Sequence, residues 1–323
     1  VNTVFSTRAI TSFTEALTLA LLLEASAFPK PGNVHRLRDR VKLRYEAFLA
    51  TGVFAYKYFR RGIIRGMQGF KRIVIGDLVY GLVRDVIEKT KSSNTCLGSS
   101  LLLSLLSVSA GKCIVEECNS VEKIAEYSKN IVLSTTVLDT IYYYMAVRLA
   151  SPSYIKPGDY TGEYINVWDP LFREKLVERK HRLYDVLLYS SKFDIVVSEA
   201  ISGFSRGLNA ENFFRARISA NGELNKSIVE TYLYLLSSNL DTIILLKHGH
   251  DVAEIISKKA SKVLNKVLST NSSKWVSHVL EFDEELYEKG INPGSTADLV
   301  AEVLALYMFR NILSCSTLLD LSF

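Results

Sequence analysis

The segment Phe13–Glu24 (FTEALTLALLLE) is apolar around almost its whole helical circumference. A helix without a polar face is buried on several sides, so other helices must surround it. Ser99–Gly111 (SSLLLSLLSVSAG) makes the same demand. It is uncharged but rich in serine, and reads as a central core helix in preference to a membrane span. The chain can supply the surroundings. Its 323 residues contain only six prolines and are 48% hydrophobic, so helices can run long and a sizeable core can be filled. Three of those prolines are concentrated in FPKPG and NPGST.

Apolar periodicity predicts further helices over Tyr45–Tyr58, Ile73–Lys89, Leu97–Val108, Val121–Asn130, Thr135–Ala150, Glu174–Gly203, Lys226–Lys247, Val252–Leu268 and Thr296–Leu313. Glu174–Gly203 reads as two helices or one with a bend. Ser12-x-x-Glu15 is a capping-box pattern that would open the first helix. Loops are expected at 25–39, 59–72, 91–96, 151–173, 204–225, 248–251 and 290–295. Alternating strand patterns are almost absent, and no 20–50-residue repeat occurs. The expected fold is all-α, one compact multi-helix domain over residues 1–323, with 151–173 as a structured loop or lid. Apolar helices at both ends suit a homodimer.

A net charge of +5 fits anionic small molecules, and no nucleic-acid motif accompanies it. Arg8 followed by LTLALLLEASA imitates a signal peptide, but Glu15 and Glu24 flank the apolar run, which favours a buried first helix. No membrane association is expected. Cysteines stand at 96, 113, 118 and 315 with no C-x-x-C pair. Buried free thiols and a reducing, cytoplasmic compartment are the expectation.

Three loops share a chemistry. Lys30-Pro31-Gly32-Asn33 follows the first helix, Asn94-Thr95-Cys96-Leu97-Gly98 opens the serine-rich one, and Asn292-Pro293-Gly294-Ser295-Thr296 opens the last. Small polar residues at a helix start leave backbone N–H groups and the positive dipole end for an anion. Lysine adds a point charge, so a polyphosphate site is expected, although no Walker loop occurs. Each of the last two loops also reads as a plain helix cap, with Ser295 capping and Asp298 as its partner three residues on. Acids inside apolar helices are the second signal: Asp194, Glu199, Asp241 and Asp298. A carboxylate there must be paired, hydrogen-bonded or metal-bound. Lys247-His248-Gly249-His250-Asp251 contains His-x-His-Asp, but Gly249 fits a helix C-cap better than a zinc site.

The blocks LLLEASAFPKPGNVHR, NTCLGSSLLL, VLDTIYYYMAVRLASP, DTIILLKHG and INPGSTADLVAEVLAL occur in that order. Together they resemble the triphosphoribosyl-dephospho-CoA synthase family over nearly the whole chain. Its blocks read approximately E-x-S-x-x-P-K-P-G, N-T-x-x-G, A-x-x-L-A-S-P, D-[ST]-x-x-x-x-K-x-G and N-P-G-[GST]-x-A-D-L. The resemblance implies an all-helical transferase that uses ATP and 3′-dephospho-CoA and releases adenine. It implies phosphate binding by Lys30, Gly32, Asn33, Asn94, Thr95, Gly98, Lys247, Asn292, Gly294 and Thr296. Asp194, Glu199, Asp241 and Asp298 form the pool for catalysis, with Asp241 and Asp298 as candidate Mg²⁺ ligands. His35 and Glu24 are both candidates for touching substrate. After P-K-P-G the chain continues Asn33-Val34-His35-Arg36, unlike the Leu-Val-Asp of many bacterial members, which leaves the acceptor open. Two other readings are a nucleotide- or CoA-binding regulator without turnover and a metal-dependent hydrolase of a phosphorylated ligand.

Overall fold

The computed structural model describes residues 2–70, 72–153, 155, 158, 162–270, 273–315 and 317–319. Among them lie fifteen helices and no strand. They are α1 (Asn2–Ser26), α2 (Tyr45–Gln68), α3 (Gly76–Thr90), α4 (Leu97–Val115), α5 (Val121–Leu133), α6 (Val137–Ala150), α7 (Phe172–Arg179), α8 (Leu183–Ser190), α9 (Ile195–Ser202), α10 (Ser205–Asn221), α11 (Leu224–Ser238), α12 (Thr242–His248), α13 (His250–Leu268), α14 (Trp275–Glu288) and α15 (Gly294–Cys315).

Helix α4 is the axis of the bundle, packed by α1, α2, α3, α5, α9 and α15. It is long and apolar enough to cross a membrane, yet most of it is buried inside the protein. Four of its serines are satisfied internally: the hydroxyls of Ser99, Ser100, Ser107 and Ser109 donate to carbonyls three or four residues back. The α2–α4 crossing is close enough for backbones to touch. A Cβ on Gly66 would lie 2.0 Å from the Val108 carbonyl oxygen, and one on Gly111 would lie 1.9 Å from that of Ile63. Only glycine at both positions permits the contact.

On one flank α3 packs on α6, which carries α7 and α8; on the other, α10, α11, α13 and α14 stack in turn. Asp139 joins α3 to α6. Its Oδ1 accepts from the amides of Val74, Ile75 and Gly76 at 2.8–2.9 Å, and its Oδ2 accepts from Thr136 N at 2.8 Å. Under residues 162–170 a second small core forms around Tyr144, Ile165, Phe172, Leu176 and Val186. The Tyr144 hydroxyl donates to the Ile165 carbonyl and Arg148 donates to those of Val167 and Asp169. The described part of the expected loop or lid is therefore anchored.

Several expectations change. Tyr45–Tyr58 continues to Gln68, so most of the loop expected at 59–72 is helical. The loop expected at 204–225 is mostly α10, because Phe204 and Gly222, both at positive φ, begin and end a regular helix. Glu174–Gly203 resolves into three helices, interrupted after Lys180 and before Asp194. Lys226–Lys247 breaks at Asp241, whose side chain caps a new helix. Helix α14 has no counterpart among the expected helices. Ser12 lies inside α1, so its capping box does not form. Cys113 and Cys118 are joined in a disulfide across the turn that ends α4, where two free thiols are expected. Cys96 is free and buried, and burial pushes its thiol up to about 12. The apolar helices at the two ends bury against each other, with Phe13 and Phe309 edge to face at 4.7 Å.

One buried acid works against folding. Glu302 of α15 is fully buried beside Glu199 and Gly207, and no N–H reaches either of its oxygens. Burial, reinforced by the Glu199 carboxylate, pushes its pKa well above the ordinary glutamate range. The native state thus favours the protonated acid. Stability is fully present below the ordinary glutamate pKa and falls as pH rises toward the native one. Glu302→Gln should raise the melting temperature at pH 8 by about 2 °C or more, and the gain should vanish near pH 4; thermal denaturation at both pH values checks this.

Candidate active site

The loop after α1 is held on every side. Asn225 of α11 accepts from the Phe28 amide at 2.9 Å and donates to the Phe28 carbonyl at 2.6 Å. The Tyr232 hydroxyl donates to the Pro31 carbonyl at 2.9 Å. Asp283 of α14 accepts from the Gly32 amide at 2.9 Å and lies 3.1 Å from both His35 Nε2 and Arg38 Nη1. The Lys30 side chain therefore runs inward and pairs with Glu24 in the last turn of α1. Burial lowers the Lys30 pKa and raises that of Glu24, against their mutual attraction.

The three polar loops meet. Asn33 Nδ2 donates to Asn292 Oδ1 at 3.1 Å, across 259 residues of sequence. Asn94 Oδ1 accepts from the amides of Cys96 and Leu97 at 3.1 and 3.0 Å and so caps α4. The Thr95 hydroxyl is 2.6 Å from that of Thr51. In α15, Asp298 Oδ1 accepts from the Ser99 amide at 2.9 Å, and Oδ2 lies where a Cβ of residue 98 would stand, 2.1 Å from it. Residue 98 must be glycine for Asp298 to reach the start of α4. Between the loops is a cleft lined by Glu24, Asn33, Asn94, Thr95, Gly98, Ser99, Tyr143, Asp194, Asn292, Gly294, Ser295 and Asp298, with Leu21, Leu43, Phe48, Leu97, Val196, Val197 and Ile243 as its apolar wall.

Of the acids singled out, two line this cleft. Asp194 caps α9 through Oδ1, which accepts from Val196 and Val197, and burial raises its pKa. Burial together with the Glu24 charge lifts Asp298 to about 8. The other two lie elsewhere. Glu199 accepts from the Gly207 amide and Arg206 behind α9. Asp241, which burial raises to about 6, accepts from Ile243 and Ile244 with Oδ1 and from the Thr296 amide and hydroxyl with Oδ2. Its hydrogen bonds position α12 and α15, and it does not line the cleft.

The expected anion contacts divide in the same way. Asn33, Asn94, Thr95, Gly98, Asn292 and Gly294 line the cleft. Lys30 is behind Glu24, Gly32 and His35 are against Asp283, and Thr296 is against Asp241. Lys247 ends α12, where burial and the neighbouring Arg40 guanidinium lower its pKa. Periodicity did not reveal Asp283, because helix α14 was not foreseen; nor Ser99 and Thr51, which look like ordinary helix serine and threonine.

A family model for ATP:dephospho-CoA triphosphoribosyl transferase (CitG) matches residues 10–316. The chain belongs to this family. Members are transferases whose substrates are ATP and dephospho-CoA. A 2-(5″-triphosphoribosyl)-3′-dephosphocoenzyme-A synthase from Klebsiella pneumoniae is 23% identical over 302 residues, 88% of this chain and 87% of that one. The crystal structure of a candidate triphosphoribosyl-dephospho-CoA synthase from Archaeoglobus fulgidus shares the fold. Its TM-score is 0.61 at 24% identity, covering 81% of this chain and 98% of that one.

The triphosphoribosyl transferase blocks thus interlock in this chain: Asn33 with Asn292, Gly98 with Asp298, and Asp241 with Thr296. Gly98→Ala should displace Asp298 and cut turnover by at least about 100-fold with unchanged helix content; circular dichroism beside an activity assay checks it. Asp298→Asn should lose activity by a similar factor but not stability. With a native pKa near 8, Asp298 costs stability as pH rises from the ordinary carboxylate range to about 8. The asparagine variant should therefore melt no lower than wild type at pH 8–9.

Proposed function

We propose that the cleft between α1, α4, α9 and α15 carries out the transfer for which the family is named. The C1′–N9 bond of ATP breaks with its electron pair going to adenine. An acceptor hydroxyl oxygen bonds to C1′, and its proton ends on the departing base. The transition state is oxocarbenium-like, so fixed negative charge beside C1′ lowers its energy. The observation that carries this reading is the meeting of three loops of small polar residues with the carboxylates of Asp194 and Asp298 in one cleft.

In this reading the amides and side chains of Asn33, Asn94, Thr95, Asn292, Gly294 and Ser295 hold the triphosphate. Asp194, with Oδ1 committed to the α9 amides, offers Oδ2 to the acceptor proton or the ribose cation. No lysine or arginine lines the cleft among the described residues, and Lys30 is engaged by Glu24. A triphosphate next to acids and without a cationic side chain fits a divalent cation. Mg²⁺ commonly binds one or two carboxylates and completes its shell with phosphate oxygens and water. Asp298, with Oδ1 on the Ser99 amide, is the residue that would hold it, and the ion would neutralise phosphate charge. Among the described residues no group of three His, Cys, Asp or Glu side chains could form a metal site without substrate.

Purified protein incubated with ATP, Mg²⁺ and dephospho-CoA should release one adenine per ATP consumed, read by chromatography. Release of ADP or AMP in its place would refute the transfer. Replacing dephospho-CoA with water alone should leave adenine release at background; undiminished release would make the protein a hydrolase.

A further inference from the structure

A second cavity opens from the cleft. It lies between α6, α8, α9 and residues 164–167, and shares Leu97, Tyr143, Asp194 and Val197 with the first. Its character is different. Where the cleft is lined by asparagines, threonine and carboxylates, this one presents Tyr143, Tyr144, Tyr164 and Tyr189 with Ile155, Ile165, Val147 and Val186. Tyr164 and Tyr189 are neighbours, their ring centroids 5.5 Å apart, and both are only partly buried. One side of the wall rests on the small core around Tyr144 and Ile165 and on the Tyr144–Ile165 hydrogen bond, and the other, with Leu97, Val147 and Val197, belongs to the main core.

We propose that this tyrosine-lined cavity is the site of the purine base that leaves during transfer. The inference rests on the proposed reaction and names the half of ATP that the polar cleft leaves unassigned. The triphosphate and the base stand at opposite ends of one ribose. Here a polar anion-binding end and an aromatic end share a boundary at Asp194, so one nucleotide can span both with C1′ beside that carboxylate. Tyrosine faces suit a planar heterocycle, which stacks on them. Dephospho-CoA carries an adenine as well, so the stacking faces alone do not choose between donor and acceptor; the boundary shared with the anion-binding cleft at Asp194 assigns the cavity to the base of the donor. Adenine departs as a neutral molecule once protonated, and an apolar chamber can receive it while the phosphates stay held.

The test uses the full chain and three probes: adenine, ATP with Mg²⁺, and inorganic tripolyphosphate with Mg²⁺, with binding followed by calorimetry. Wild type should bind adenine, and adenine should compete with ATP but not with tripolyphosphate. Tyr189→Ala and Tyr164→Ala should each weaken ATP and adenine binding about tenfold or more. Tripolyphosphate binding, the KM for dephospho-CoA and the melting temperature should stay near wild type, and Tyr189→Phe should retain ATP affinity. Unchanged ATP affinity in both alanine variants, or a raised KM for dephospho-CoA with ATP affinity intact, would overturn the assignment. Should an alanine variant fold poorly, wild type still decides: adenine that does not compete with ATP rules the site out. The binding arms need no turnover. Base binding lost in the variants of a protein that releases no adenine would uphold this site and refute the reaction.

Discussion

The buried pair of Lys30 and Glu24 is the contact on which the cleft depends. Two opposite charges out of water are tolerable only together, and removing either leaves the other stranded in a low-dielectric interior. Here the pair does more than satisfy itself. Lys30 is also an attractive charge for Asp298, while Glu24 and Asp194 repel it. The ammonium of Lys30 sits within electrostatic reach of the acid that closes on the start of α4. Lysine in this loop thus acts on the acids that line the cleft, and its own ammonium stays behind the wall.

The rest of the architecture serves to bring that acidic group to the start of α4. A helix buried on all sides normally has no use for serine, yet Ser99, Ser100, Ser107 and Ser109 of α4 donate back to its own backbone. Glycines let α2 lie directly on it. With α4 clamped in this way, the position of its first turn is set by the core. Asp298 reaches that turn across Gly98 and ties α15 to it, while Asp241 ties α12 to the same end of α15. The hydrogen bonds at the cleft are thus extensions of helix packing, which is how a site built from helix ends can be held in register.

On the proposed reading, the adjoining cavities divide the work of a glycosyl transfer. The polar one suits charge that remains bound, and the aromatic one suits a planar group that must leave. Asp194 stands at their boundary because its capping bonds to α9 orient one oxygen and leave the carboxylate at the shared rim. Its position is a product of the break between α8 and α9, within a stretch whose periodicity alone does not decide between one bent helix and several.

The all-helical class was legible in the sequence because apolar periodicity and scarce proline are local properties. The three polar loops were legible too, since asparagine, glycine and threonine at helix starts report on their own backbone. What tertiary structure decided is which of those residues face the cleft. Lys30, His35 and Asp241 are polar residues of the same motifs as Asn33, Asp194 and Asp298, but Glu24, Asp283 and Thr296 claim them first. Those partners lie six, 248 and 55 residues away. The contrast follows from burial: a charged group inside a protein must find its partner wherever the fold brings one, and only the packed helices determine which groups are left for a ligand.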